Sequence, residues 1–225
     1  MSLAELEQLQ NEEEGLTNEE IAAGLAFLVL ITQGAFSSSN VVKRVQVDQL
    51  AFLTSTRART LGLQLTEGAI TNRMFITEMI GLIEQGQTAS AILWAEGTEL
   101  TLAQQRLVTT VIDEQLTFLS QFEQRLINGT MKTTPAANAQ MYGQAVRPTY
   151  FRFASEQLRE EGFNAEQNIL NPADHCNTGQ SCVGETARGI VPLGALVPIG
   201  NRTCLSNCQC SIRYINTSTN QMVIV

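Results

Sequence analysis

Asp174-His175-Cys176-Asn177-Thr178-Gly179-Gln180-Ser181-Cys182 and, beyond a Gly/Pro-rich arm, Cys204-Leu205-Ser206-Asn207-Cys208-Gln209-Cys210 together hold all five cysteines and the single histidine of this 225-residue chain. The cysteines fall into two clusters, C-x5-C and C-x3-C-x-C, separated by about the length of a hairpin. Paired clusters of this kind are the usual sequence sign of one tetrahedral metal site, most often zinc. If Cys208 and Cys210 lie on an extended strand, residues two apart face the same side, and both sulfurs reach one ion. The expected ligands of Zn2+ are therefore Cys176, Cys182, Cys208 and Cys210, with Cys204 or His175 as the substitute member. The first loop is wider than the short knuckle of common zinc fingers. Three other readings of the same residues stay open. Disulfides would join Cys176 and Cys182 to Cys204, Cys208 or Cys210 under oxidising conditions, although five is an odd number. A cysteine nucleophile served by His175 is the second, but neighbouring side chains diverge, and catalytic Cys/His pairs meet in space rather than in sequence. Inert thiols in a small core are the third.

Working outward, the charge is unevenly spread. Residues 1–20 carry seven glutamates and no lysine or arginine, which accounts for most of the formal net charge of −8. The body behind this acidic arm is nearly neutral, with fourteen basic and fifteen acidic side chains. Nothing resembles the basic face that nucleic-acid binding requires, so nucleic acid is not an expected partner. The N-terminus lacks the positive flank of a signal peptide. The longest apolar run, Ile21 to Ile31, is short of the roughly 20 residues of a spanning helix. The expectation is synthesis in a cytoplasm, where thiols begin reduced, and no membrane partner.

The expected architecture is mainly α, in three parts: an acidic arm at 1–20, a helical body at 21–165, and a small Cys-rich β lobe at 166–225, zinc-knuckle-like or disulfide-stapled. Thr17-Asn18-Glu19-Glu20 is a capping box that opens a helix through Leu25, Leu28 and Ile31 to Gly34. From Val41 to Leu65 the signals conflict: Val42, Val45, Leu50 and Leu53 suggest a helix, whereas Leu61, Leu63 and Leu65 alternate like a short strand. Lys43, Arg44, Arg57, Arg59 and Arg73 make this region locally basic, which reads as a solvated face. Thr71 to Gln85 reads as a helix with Phe75, Met79, Ile80 and Ile83 inward, stopped at Gly86 and followed by a short helix that buries Trp94. Thr101-Leu102-Ala103-Gln104 opens the clearest helix, with Val108, Val111, Ile112, Leu119, Phe122 and Leu126 on its apolar face and Asn128-Gly129 at its end. Thr134-Pro135 starts the next helix, with Pro at the first helical position. Pro148 divides it into about 135–146 and 148–161, with Tyr142, Tyr150, Phe151 and Phe153 packing between helices. Gly162 closes the body, and Asn171-Pro172 marks a boundary. Beyond it, Val191-Pro192-Leu193-Gly194 and Val197-Pro198-Ile199-Gly200 predict two tight turns flanking an extended arm. The tail Ile212 to Val225 is β-prone and pairs either within its own sheet or with a neighbour's edge.

A helix ending at Asn128-Gly129, then Met141-Tyr142-Gly143-Gln144-Ala145-Val146-Arg147 and Tyr150, then Asp174-His175-Cys176 with Cys182, the arm Gly189 to Gly200, and finally Cys204-Leu205-Ser206-Asn207-Cys208-Gln209-Cys210 form a recognisable order. Over about residues 100–215 it resembles the C-terminal region of the minor head, or head-morphogenesis, proteins of tailed bacteriophages. Gln209 stands where that family often has Arg. The resemblance implies a structural virion protein, made in the cytoplasm of a bacterial host and present in several copies per particle. It further implies binding to the portal and/or the major capsid protein during head assembly. The alternative is a cytosolic zinc-bearing adaptor for a protein or a nucleic acid. An enzyme is not expected: with one histidine, any triad would run through His175, and Glu160 with Glu161, or Asp113 with Glu114, point about 100° apart on a helix.

Overall fold

The structure, a computed structural model, describes residues 40–95, 99–172, 175–177, 180–199, 202, 203, 208 and 210–225. The acidic arm, the helix expected after Thr17, Asp174 and Cys204 lie outside the described residues. The fold is mainly helical: α1 (Asn40–Thr66), α2 (Asn72–Trp94), α3 (Leu102–Ile127), α4 (Pro135–Gln144) and α5 (Val146–Glu160) precede a small sheet. The sheet comprises β1 (Ala165–Ile169), β2 (Ile190–Pro192), β3 (Ser211–Asn216) and β4 (Gln221–Ile224), with the short helix α6 (Cys182–Ala187) between β1 and β2. Its strand order is β2-β1-β3-β4, antiparallel throughout.

The stretch with conflicting signals is one continuous helix, α1. Its buried stripe is Val47, Leu50, Ala51, Thr54, Ser55, Ala58 and Leu61, spaced by three and four as one helical face requires. The stripe is rich in small residues because α4 crosses it almost backbone to backbone. A Cβ built on Gly62 would stand 2.5 Å from the Ala136 Cα, and one on Gly143 would overlap the Ser55 backbone. Leu63, which suggested strand alternation, is exposed.

Gly86 does not stop α2 either. The helix runs through it to Trp94, and Gly86 faces Val146, where a Cβ would lie 3.0 Å from the Val146 Cγ1. The glycine makes room for a neighbour instead of ending a helix. Phe75, Met79 and Ile83 are buried, as the periodicity predicts.

Both side chains of the capping box at Thr101 and Gln104 make their reciprocal bonds, and Gly129 takes φ +63° after the helix end. Pro135 occupies the first turn of α4 behind the N-cap Thr134. The break before Pro148 falls at Ala145, so Pro148 sits in the first turn of α5, where a missing amide costs no helical bond. Carbonyls around the break are met by hydroxyls from other helices: Thr54 Oγ1 donates to Gly143 O and Ser90 Oγ to Val146 O, each at 2.8 Å.

The expected solvated basic face holds only in part. Arg59 and Arg73 are exposed, but Lys43 is 6 % exposed and donates to Trp94 O at 3.2 Å, its Nζ 4.6 Å from the ring centroid. Long aliphatic stems let such heads reach aromatic faces and carbonyls.

The β-prone tail forms the β3–β4 hairpin of its own sheet, closed by reciprocal bonds between Ile212 and Val225. One buried cluster joins helices and sheet: Val47, Trp94, Tyr150, Phe153, Cys182, Cys208, Cys210 and Tyr214 all belong to it. Trp94 meets Tyr150 edge-on at 5.4 Å. The Cys-rich end therefore packs on the same core as α1, α2 and α5.

Candidate metal centre

Three short pieces of chain carry the group. Cys182 opens α6, whose N-cap Ser181 accepts the Gly184 amide at 2.9 Å. Cys210 immediately precedes β3, with Cys208 two residues before it. His175 lies on the loop after β1. The His175 Nδ1, Cys182 Sγ and Cys210 Sγ atoms all lie within 4.8 Å of one another. Cys210 Sγ is 3.8 Å from His175 Nδ1, and Cys208 Sγ is 3.5 Å from Cys182 Sγ. A tetrahedral zinc with usual bond lengths would separate two sulfurs by about 3.8 Å, and a sulfur and a nitrogen by about 3.5 Å. These two spacings are near that scale, and Cys208 reaches the group through Cys182 without lying within 4.8 Å of all its members. Among the described residues no disulfide joins any two of Cys176, Cys182, Cys208 and Cys210.

The histidine is oriented for the task. Its Nε2 is 2.6 Å from Asn171 O, and a carbonyl only accepts, so Nε2 carries the proton. The Nδ1 lone pair then faces the sulfurs, the arrangement that fixes the tautomer of a metal-bound imidazole. Cys176 is half-buried at the margin of the group. Its sulfur accepts the backbone N–H of Cys182 at 3.2 Å, which ties Cys176 to the start of α6. Cys204 lies outside the described residues.

Cys182, Cys208 and Cys210 are at most 1 % exposed. The hydrogen bond from Cys210 holds the Cys208 thiol well below its ordinary value, against the opposing effect of burial. The same bond, together with burial, pushes Cys210 up. A cation that takes both sulfurs would displace the thiol protons.

Several residues around the group carry no sequence signal of a metal site. Arg44 donates from Nη2 to Cys210 O at 2.8 Å and lies over the Phe151 ring. Asn168 donates to Cys182 O at 3.2 Å. The arm between the two Cys clusters is held by carboxylates: Glu166 accepts the Gly194 and Leu196 amides at 3.0 and 2.8 Å, and Glu185 accepts that of Val197 at 3.0 Å. Glu166 lies on β1 and Glu185 on α6, so the arm is clamped from both sides. An amphipathic count finds none of these, because each acts through a backbone partner far away in sequence.

A groove of about 990 Å³ runs between α3, α4, α5 and the arm, lined in part by Phe118, Met141, Phe151 and Val197. Arg152 and Glu114 pair at 3.1 Å between α5 and α3. Among the described residues no helix is long and apolar enough to cross a membrane. Comparison of the chain with protein-family models, with curated proteins and with solved structures finds no match.

Proposed function

We propose that this chain is a structural head protein of a tailed bacteriophage, of the minor head type. In this reading its Cys-rich end is locked by one Zn2+, and its helical body engages portal or capsid protein during assembly. The observation that carries the metal part is the convergence of His175 with the Cys182 and Cys210 sulfurs, with the Cys208 sulfur 3.5 Å from that of Cys182. Those four are the proposed ligands, with His175 taking the place expected of Cys176. Zinc fits the donor set, since three thiolates and an imidazole are a soft closed site of the structural kind. The virion part is supported by the resemblance of residues 100–215 and by a centre buried in the core instead of open to substrate.

The metal part is tested on protein purified under reducing conditions. Elemental analysis should give one zinc per chain, and Cys210→Ser should lose it while the helical circular dichroism persists. A strong chelator should also change the Trp94 fluorescence, because Trp94 shares the buried cluster with the three cysteines. Binding of an ion at a thousandfold excess over its Kd adds about 4 kcal/mol to the folded state, so chelation should lower Tm clearly. Absence of zinc would end the metal reading. The assembly part is tested by mass spectrometry of purified particles: the chain should be present at a fixed ratio to the shell subunit, and its absence from particles would overturn that reading.

A further inference from the structure

Arg202 is among the largest fully buried side chains in the described residues, at 1 % exposure. Its Nε donates to Val197 O at 2.7 Å and its Nη1 to Asn168 Oδ1 at 2.6 Å, while Nη2 has no hydrogen-bond partner among the described residues. A guanidinium only donates, so the oxygen of Asn168 must face it and the NH2 must point the other way. On that other side lies the metal group. Asn168 Nδ2 donates to Cys182 O at 3.2 Å and to Thr186 Oγ1 at 2.6 Å. The charge of Arg202 also acts on Cys208. Zn2+ with three thiolates and a neutral imidazole carries one net negative charge, and an unbalanced charge in a core is costly. Glu166 is the carboxylate in the field of Arg202, and its Oε1 is already taken by the Gly194 and Leu196 amides.

From this geometry we infer that Arg202 and Asn168 form the second layer of the centre. Arg202 supplies the buried positive charge that balances the thiolates and holds the Asn168 amide with its donors toward the Cys182 carbonyl and Thr186. Both are positioning residues, acting on the metal through its ligands. The inference rests on the zinc reading above and deepens it.

The test is a competition titration of Zn2+ against a chromogenic chelator, under reducing conditions, on the full chain and on Arg202→Met, Arg202→Lys and Asn168→Asp. Loss of an outer-layer partner typically weakens metal binding about ten- to hundredfold. Arg202→Met should fall in that range and Arg202→Lys should recover most of the loss, because it restores charge. Equal losses in the two Arg202 variants would reduce Arg202 to packing and overturn the charge role. Asn168→Asp keeps the side-chain shape but replaces donors with a carboxylate, so it should weaken Zn2+ binding without loss of helical circular dichroism, even if Arg202→Met does not fold. If the unaltered chain binds one Zn2+ and Asn168→Asp binds it as tightly, the inference fails while the zinc reading stands. If the unaltered chain binds none, both fall together.

Discussion

Gly143 shows how one missing methyl group sets the packing of two helices. A Cβ there would overlap the Ser55 backbone, so α1 and α4 touch only because the position has no side chain. Gly143→Ala should therefore destabilise the protein by about 3 kcal/mol, the upper end of what forcing atoms into a packed interior costs. Gly81 is the control. It lies inside α2, where an added Cβ would meet nothing within 4 Å, and Gly81→Ala should stabilise by about 1 kcal/mol through helix propensity alone. Denaturant midpoints for the two variants, at equal slope, check both signs. At the same scale, His175 is legible as a ligand candidate from its place beside Cys176, but its tautomer is not. That depends on Asn171 O, a backbone atom whose position no side-chain pattern encodes.

At the level of elements, local signals succeed where the helix end is self-contained. The Thr101 hydroxyl and the Gln104 amide satisfy each other within one turn, so the start of α3 is readable without knowing its neighbours. Thr101→Ala should cost about 1 kcal/mol, measurable by thermal or denaturant unfolding, with no change at the metal centre. Local signals mislead where a neighbour decides. The buried face of α1 is Ala, Ser and Thr as much as Leu, so an apolar count underrates it. Gly86 looks like a stop but is a contact with Val146 in the middle of α2. The β3–β4 hairpin lies between these cases: the β-prone tail is plain in sequence, but its pairing with β1 depends on the long connection through α6 and β2.

On the scale of the whole molecule, one buried cluster joins helices and sheet and a second lies among α1 to α4, and all three tyrosines of the chain are buried in them. Burial pushes the Tyr142 hydroxyl up to about 12 and holds Tyr150 and Tyr214 higher still. A phenol whose value is raised on folding contributes stability below its unfolded value near 10, and that contribution is lost as pH rises through the folded value. The phenolate absorbance should therefore stay flat through pH 10 and then rise cooperatively, together with loss of helical circular dichroism. A smooth rise with an ordinary midpoint in the intact fold would contradict the burial of the rings. Zinc retention should fail in the same alkaline transition, because Tyr150 and Tyr214 share a cluster with Cys182, Cys208 and Cys210.

The sequence alone determined that the chain is mainly helical with a small β end, where α3, α4 and α5 start and stop to within a turn, and that the sulfur-bearing residues form two clusters. These depend on contacts within a few residues: caps, turn glycines, prolines and periodicity. Only the tertiary structure decided that α1 is unbroken, that His175 stands with Cys182 and Cys210 while Cys176 lies at the margin, and that Arg44, Asn168 and Arg202 surround them. Each of those depends on atoms brought together by packing across tens of residues, and the free energy of such contacts depends on distance and burial in space, which spacing along the chain does not encode.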